Sequence, residues 1–300
     1  MDGTTRPDRW ALAWLMQVRS RLTGGSTFPR PSREVTSSPI TIPTRHGQVS
    51  ALVYRSLGGT PLAGDDSRRP PLHLQFHGGG LVGRAVREDE HICRYLASET
   101  GAIVLALHYH AAPQVSFPVA EQECFDALHW ALDAANQYGW DRHRVTVGGG
   151  GAGAKLAINT VQQAYEKGIQ LSGLIASSPL LDYTRSDRET EVEKPKHGPR
   201  LLEFIADAYF PTVSTRTLPL ASPAFDLALV KKLPHTLIQV GTLDWLAEDG
   251  RALAAQLTRV SRPHTLTEYE APGGFTVRGD RAIMEAAISE QARFIRSLYS

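Results

Sequence analysis

The densest chemical signal in the chain lies in Arg144-Val145-Thr146-Val147-Gly148-Gly149-Gly150-Gly151-Ala152-Gly153-Ala154-Lys155-Leu156-Ala157. Arg144 to Val147 reads as a buried strand and Lys155 onward as a helix. Only glycine and alanine stand between them, so the backbone can turn sharply there. A strand, a tight turn and a helix make the frame of a nucleophile elbow, G-x-S-x-G, whose strained turn lifts a serine hydroxyl above the sheet. The frame stands at Gly149-x-Gly151-x-Gly153, but its centre is Gly151, which has no side chain to attack with. Ser177 and Ser178 sit at a strand end outside any elbow. His235 and His264 precede their strands, at the edge of the sheet opposite the loops that follow the elbow strand. None of these supplies a substitute. His108 and His110 lie two apart at a strand end, which suits a metal pair, but no carboxylate or cysteine companion is evident in the sequence. Structural histidines are expected, and no metal.

Two stretches, Gly148-x-Gly150-x-x-Gly153 and Gly78-x-Gly80-x-x-Gly83, match G-x-G-x-x-G literally. A dinucleotide site needs that pattern at the first strand–helix turn of a βαβ unit, with an acidic residue ending the next strand. Neither following strand, Ala102 to Leu107 or Gly173 to Ser177, ends on one. No cofactor is implied, and close helix–sheet packing accounts for the glycines. Cys93 and Cys124 fall within helices and read as buried packing residues.

The elements that must position these residues alternate. Strands are expected at Ile40 to Ile42, Val49 to Arg55, Leu72 to Phe76, Ala102 to Leu107, Arg144 to Val147, Gly173 to Ser177, Thr236 to Val240 and Thr265 to Tyr269. Helices are expected at Glu88 to Thr100, Glu121 to Tyr138, Lys155 onward, Arg200 to Tyr209, Ala247 to Val260 and Asp280 to Tyr299. Such alternation argues for an α/β fold with a mostly parallel sheet covered on both faces. Residues 1–40 and 183–230 break the pattern and are candidates for a cap over the sheet's C-terminal edge. Trp10, Trp14, Leu15, Val18 and Leu22 fall at helical spacing, as an amphipathic helix over something apolar would require.

Composition narrows the classes. The 300 residues read as one domain, with residues 41–182 and 231–300 as its core. The formal net charge is +1 without a Lys/Arg cluster, which argues against nucleic acid and acidic membranes as partners. Two cysteines give no disulfide framework, so a reduced, cytoplasmic setting is the default. Ala11 to Val18 is apolar but short, and no stretch is long enough to span a bilayer.

Taken in order, several motifs resemble one family. They are His77-Gly78-Gly79-Gly80, Tyr109-His110-Ala111-Ala112-Pro113 with Phe117-Pro118, the elbow frame, Ser178-Pro179-x-Leu181-Asp182, Ala221-Ser222-Pro223, Asp244-x-Leu246-x-Glu248-Asp249-Gly250, and Tyr269-Glu270-x-x-Gly273-Gly274-Phe275. Together they are similar to the hormone-sensitive-lipase-like branch of the α/β-hydrolases, a family of esterases, lipases and related enzymes, over roughly residues 40–300. The resemblance implies an α/β-hydrolase fold with a helical cap. It implies an oxyanion hole from His77, Gly78, Gly79 and Gly80, with Ala152 supplying the N–H after the elbow centre. It implies Asp244 as the triad acid. Gly151 stands where the family has serine, and Gly273 where it has the triad histidine.

Removing serine or histidine from such a triad typically costs on the order of a million-fold in kcat, or about 8 kcal/mol of barrier. The oxyanion hole and binding alone leave about 10³–10⁴ over water. Three readings follow. The first is a protein that binds a small apolar or carbonyl-containing ligand, a path the plant gibberellin receptors, which resemble this family and lack the triad histidine, show to exist. The second is a lyase, dehydratase or cyclase that uses Asp244 as acid or base. The third is a hydrolase of small esters working through a water and Asp244. An inactive scaffold that binds a protein partner stands beside them. The final helix, apolar along Met284, Ala287, Ile288, Ala292, Ile295 and Leu298, suits either the sheet or a homodimer face.

Overall fold

The computed structural model describes residues 12–15, 17, 28–58, 60–63, 68–83, 87–188 and 190–299. Among these, eight strands form one sheet: β1 (Val35–Thr44), β2 (Gly47–Ser56), β3 (Pro71–Phe76), β4 (Ile103–Leu107), β5 (Asp141–Gly150), β6 (Gly173–Ser177), β7 (His235–Gly241) and β8 (His264–Tyr269). Their spatial order is β1-β2-β4-β3-β5-β6-β7-β8. The β1–β2 hairpin turns at His46-Gly47 and joins β4 antiparallel, and every later pairing is parallel. β1 is longer than Ile40 to Ile42 and begins at Val35, inside the stretch expected as an N-terminal cap, because its ladder to β2 continues through Ser37↔Tyr54 to Val35↔Ser56.

Helices cover both faces, as parallel strands buried on two sides require. One face carries α1 (Glu90–Thr100) and α8 (Arg281–Ser297) over Tyr54, Val104, Ile175 and Leu237. The other carries α2 (Val119–Asp133), α4 (Ala152–Glu166) and α7 (Glu248–Arg259) over Leu72, Leu74, Val145 and Val147. Short helices α3 (Ala135–Tyr138) and α6 (Leu229–Lys232) complete the connections, and α5 (Gly198–Tyr209) lies between β6 and β7.

β5 differs from expectation in an informative way. It runs through Gly148, Gly149 and Gly150, which pair with Ile175, Ala176 and Ser177 of β6, so the turn is confined to Gly151. The helix carrying residues 12–15 and 17 also differs. Its buried side is Ala13 and Gln17, and Gln17 Nε2 donates to the Ala112 carbonyl at 2.5 Å. Trp14 and Leu15 are 46% and 62% exposed rather than facing the core, since the helix turns its smallest side chain inward. Trp10, Val18 and Leu22 lie outside the described residues.

A polar seam runs through the α1/α8 face. His73 Nδ1 meets Thr146 Oγ1 at 2.9 Å and His73 Nε2 meets Gln75 Oε1 at 3.1 Å. Gln75 Nε2 then donates to Asp89 Oδ2 at 2.8 Å. Burial pushes the Asp89 carboxyl up to about 7, with Gln75 opposing the shift and Glu88 adding to it. A carboxyl raised on folding contributes stability that is full below its unfolded value of about 3.8 and lost as pH rises through about 7. Asp89→Asn keeps an acceptor for Gln75 and cannot ionise. It is expected to flatten this dependence and to stabilise the protein at pH 8 by about 2–4 kcal/mol relative to its effect at pH 4. Urea unfolding of both proteins at the two pH values measures the difference, and an equal effect at both would refute it.

Candidate active site

The expected site residues gather at the C-terminal edge of the parallel strands. The loop after β3 holds His77 to Gly80, Gly151 follows β5, and Asp244 and Gly273 follow β7 and β8. Neighbouring strands bring the first two together, since Phe76 pairs with Gly149 and a Cβ on Gly78 would stand 3.2 Å from the Gly150 carbonyl oxygen.

The elbow's shape follows from close packing. A Cβ on Gly153 would stand 1.9 Å from the Phe76 carbonyl oxygen, and one on Gly149 2.4 Å from it. Only glycine lets α4 press so near β3. Gly151 then carries the reversal at φ 55°, ψ −116°, a region that costs a side-chain-bearing residue about 1–3 kcal/mol. Its N–H donates to the Ser177 carbonyl at 2.9 Å and its carbonyl accepts from Lys155 N at 3.2 Å. Nothing lies within 4 Å of where its Cβ would be. The backbone is that of an elbow, and the space above its apex is open.

The loop after β3 is braced from behind. The His77 and Tyr109 rings stack with centroids 4.2 Å apart. Tyr109 Oη donates to the His77 carbonyl at 2.7 Å, which His77 Nδ1 complements by meeting the Gly78 carbonyl at 2.7 Å. Gly83 N and Val82 N close the loop on the Gly79 carbonyl at 2.7 and 3.2 Å. The N–H groups of Gly79, Gly80 and Ala152 donate to no other backbone carbonyl among the described residues. Over Gly80 stands Ile205 of α5, whose Cδ1 is 2.8 Å from where a Gly80 Cβ would be.

Asp244 is 7% exposed. Its Oδ1 accepts from Leu246 N at 3.0 Å, and Oδ2 lies 2.5 Å from the Cβ position of Gly273. The carboxyl therefore lies directly against the backbone from which a histidine would project. Burial holds it above the ordinary carboxylate range; the Leu246 N–H opposes this, and the charge of Asp249 adds to it. Asp249 is itself buried and takes Leu181 N at 2.7 Å, Asp182 N at 3.2 Å and Arg188 Nη2 at 3.1 Å. The Ser178 hydroxyl favours the ionised form of Asp244 from outside good hydrogen-bond geometry. Ser178 sits at φ 46°, a strained value for serine.

The other candidates resolve as follows. Ser177 Oγ points to the opposite side of the sheet, bonded to Gln239 and Gln291. His264 and His235 stand at the starts of β8 and β7, far along the strands from the elbow. His110 does have a carboxylate companion, contrary to expectation. Glu123 Oε1 meets its Nδ1 at 2.7 Å, and Oε2 accepts its backbone N–H at 2.8 Å. No group of three potential metal ligands occurs among the described residues. Sequence reasoning missed Ile205, Arg188, Thr276 and the pairing of Lys155 with Glu121. Thr276 Oγ1 lies 3.8 Å from the Gly150 Cβ position, and its carbonyl meets His91 Nε2 at 2.7 Å. Only Thr276 carried a usable signal, by its place next to Gly273-Gly274-Phe275.

An elbow, a glycine loop beside it and a carboxylate after the next-but-one strand define an α/β-hydrolase architecture. Residues 73–274 match the model of a family described as having the alpha/beta hydrolase fold. The chain belongs to that family, on its hormone-sensitive-lipase-like side. It is 32% identical to an acetyl-hydrolase of Streptomyces hygroscopicus over 206 residues, which is 65% of this chain and 64% of that protein's length. Human hormone-sensitive lipase is 32% identical over 126 residues, 42% of this chain and 12% of the lipase. An esterase structure from Pyrobaculum calidifontis superposes with a TM-score of 0.78 at 26% identity, covering 99% of this chain and 94% of the other. No described helix is long and apolar enough to cross a membrane.

Glycine substitutions should separate the elbow's two demands. Gly151→Ala meets strain without a clash and is expected to cost about 1–3 kcal/mol. Gly153→Ala drives a methyl into a carbonyl and is expected to cost more than about 4 kcal/mol, or to prevent folding. Urea denaturation ranks the two, and the reverse order would refute the packing account.

Proposed function

We propose that this protein is a non-hydrolytic member of the family that holds a small apolar or carbonyl-containing ligand in the retained site. The N–H groups of Gly79, Gly80 and Ala152 would act as donors to the ligand oxygen, with residues 183–230 and the N-terminal segment as the cap. The observation that carries this reading is the apex at Gly151, which keeps the strained backbone of a nucleophile position, has open space in place of the nucleophile, and has no histidine at Gly273. Preorganised backbone donors can bind a carbonyl or carboxylate oxygen without needing that serine. Asp244, whose pKa burial raises, can serve as the acid or base of a lyase- or cyclase-type step.

A second reading, hydrolysis of a small ester through a water activated by Asp244, has support from the esterase and hydrolase names of the relatives and from the raised carboxyl. A lone carboxylate would then do the work of two groups.

With p-nitrophenyl acetate, the wild type is expected to turn over at roughly a millionth of the rate of an intact serine esterase. Titration with ethyl acetate, followed by amide NMR, should shift the Gly79, Gly80 and Ala152 signals. Ordinary esterase rates would overturn the proposal, as would unmoved amides. If slow hydrolysis is found, Asp244→Asn should abolish it under the second reading and leave it unchanged under the first.

A further inference from the structure

The proposal above concerns what the site holds; the structure also bears on how it is covered. Lys155 lies one turn beyond Gly151 on α4, and Glu121 lies in the first turn of α2. Both are fully buried, and Lys155 Nζ contacts Glu121 Oε1. Isolated charges of this kind are costly to remove from water unless the site around them is complete.

What completes the site comes largely from the segment between β6 and β7. Tyr209, the last residue of α5, donates its hydroxyl to Glu121 Oε2 at 2.6 Å and accepts from Ala120 N at 3.1 Å. Its carbonyl accepts from Phe117 N at 2.9 Å. Three rings surround the ammonium, with centroids 5.9 Å (Phe117), 6.0 Å (Tyr183) and 5.9 Å (Phe210) from Nζ. Tyr183, Tyr209 and Phe210 all belong to the segment that also presses Ile205 over Gly80. At the other end of α5, Gly198 packs against Trp245, the neighbour of Asp244. Helix α5 thus lies over the Gly80 side of the glycine loop, while Gly79 stays exposed.

We propose that Lys155, Glu121 and Tyr209 form a latch between the cap helix and the core, and that the buried charge pair makes closure reversible. With α5 seated, the phenol and the rings hold the pair. With α5 lifted, water solvates both charges, so opening relieves their desolvation. A greasy contact at the same place would hold the helix down more firmly.

The contrast between single and double substitutions tests this. The readout is native-state amide hydrogen exchange in peptides covering 198–212, compared with peptides covering 144–166 as the core reference. The double variant Lys155→Met/Glu121→Leu, carried on Tyr209→Phe so that no buried hydroxyl loses its acceptor, keeps volume and removes both charges, and is expected to slow cap exchange by about tenfold or more. Lys155→Met alone strands Glu121 as a buried charge and is expected to speed it. Tyr209→Phe removes one bond to a charged acceptor and is expected to speed cap exchange by about tenfold, with the core reference unchanged. If the double variant exchanges in the cap as fast as wild type or faster, the latch is overturned. Equal changes in cap and core peptides also overturn it, since they report global stability. Should the double variant fail to fold, Tyr209→Phe alone decides: unchanged cap exchange sinks the proposal.

Discussion

The structure depends on one close approach. Helix α4 starts so near β3 that the Phe76 carbonyl occupies the volume in which Gly149 or Gly153 would carry a Cβ. That contact leaves room for only one residue, Gly151, to reverse the chain between β5 and α4. It sets the reversal at a positive φ and leaves Ala152 as the helix's first N–H. It also brings the loop after β3 against the end of β5, where Gly78 faces the Gly150 carbonyl. The relative placement of the elbow and the glycine loop is thus a backbone property, and it needs no side chain at the apex.

Asp244 shows what a missing neighbour does instead. The strand ends fix its backbone, through Asp244 N to the Gly241 carbonyl and Leu243 N to the Ala271 carbonyl. Its carboxyl lies against Gly273, with Leu246 N as its backbone donor. Burial raises the pKa of this carboxyl, the Leu246 N–H opposes the shift, and the charge of Asp249 adds to it. Placing a histidine at Gly273 would first require this carboxyl to swing away, whereas a side chain at Gly151 would meet open space. The two positions are not equivalent: the Asp244 carboxyl occupies the space beside Gly273, and the space above Gly151 is open.

Much of this was legible in the sequence, and the remainder has a common cause. Period and punctuation place every strand, because parallel strands buried on both faces read as short apolar runs between glycines and polar loops. The motifs place Gly79, Gly80, Gly151 and Asp244 because backbone turns demand particular residues in particular order. The interactions that escaped are side-chain pairings between distant segments. Glu123 finds His110 across 13 residues, Glu121 finds Lys155 across 34, and Arg188 finds Asp249 across 61. No local pattern marks such partners. The strand content of Gly148 to Gly150 escaped for a different reason: glycine has low strand propensity, and the ladders to β3 and β6 override it.

The charge buried beneath the cap links these strands of the argument. Lys155 and Glu121 lie on α4 and α2, the helices that follow the elbow and the β4–α2 connection, so α5 docks through Tyr209 on the starts of both. Ala152, whose N–H heads α4, lies three residues before Lys155, while Gly79 and Gly80 belong to the loop after β3, which Ile205 of α5 covers on the Gly80 side. Under the proposed reading a ligand oxygen would need only the backbone donors around Gly151 and the helix over Gly80, and neither depends on a side chain at position 151.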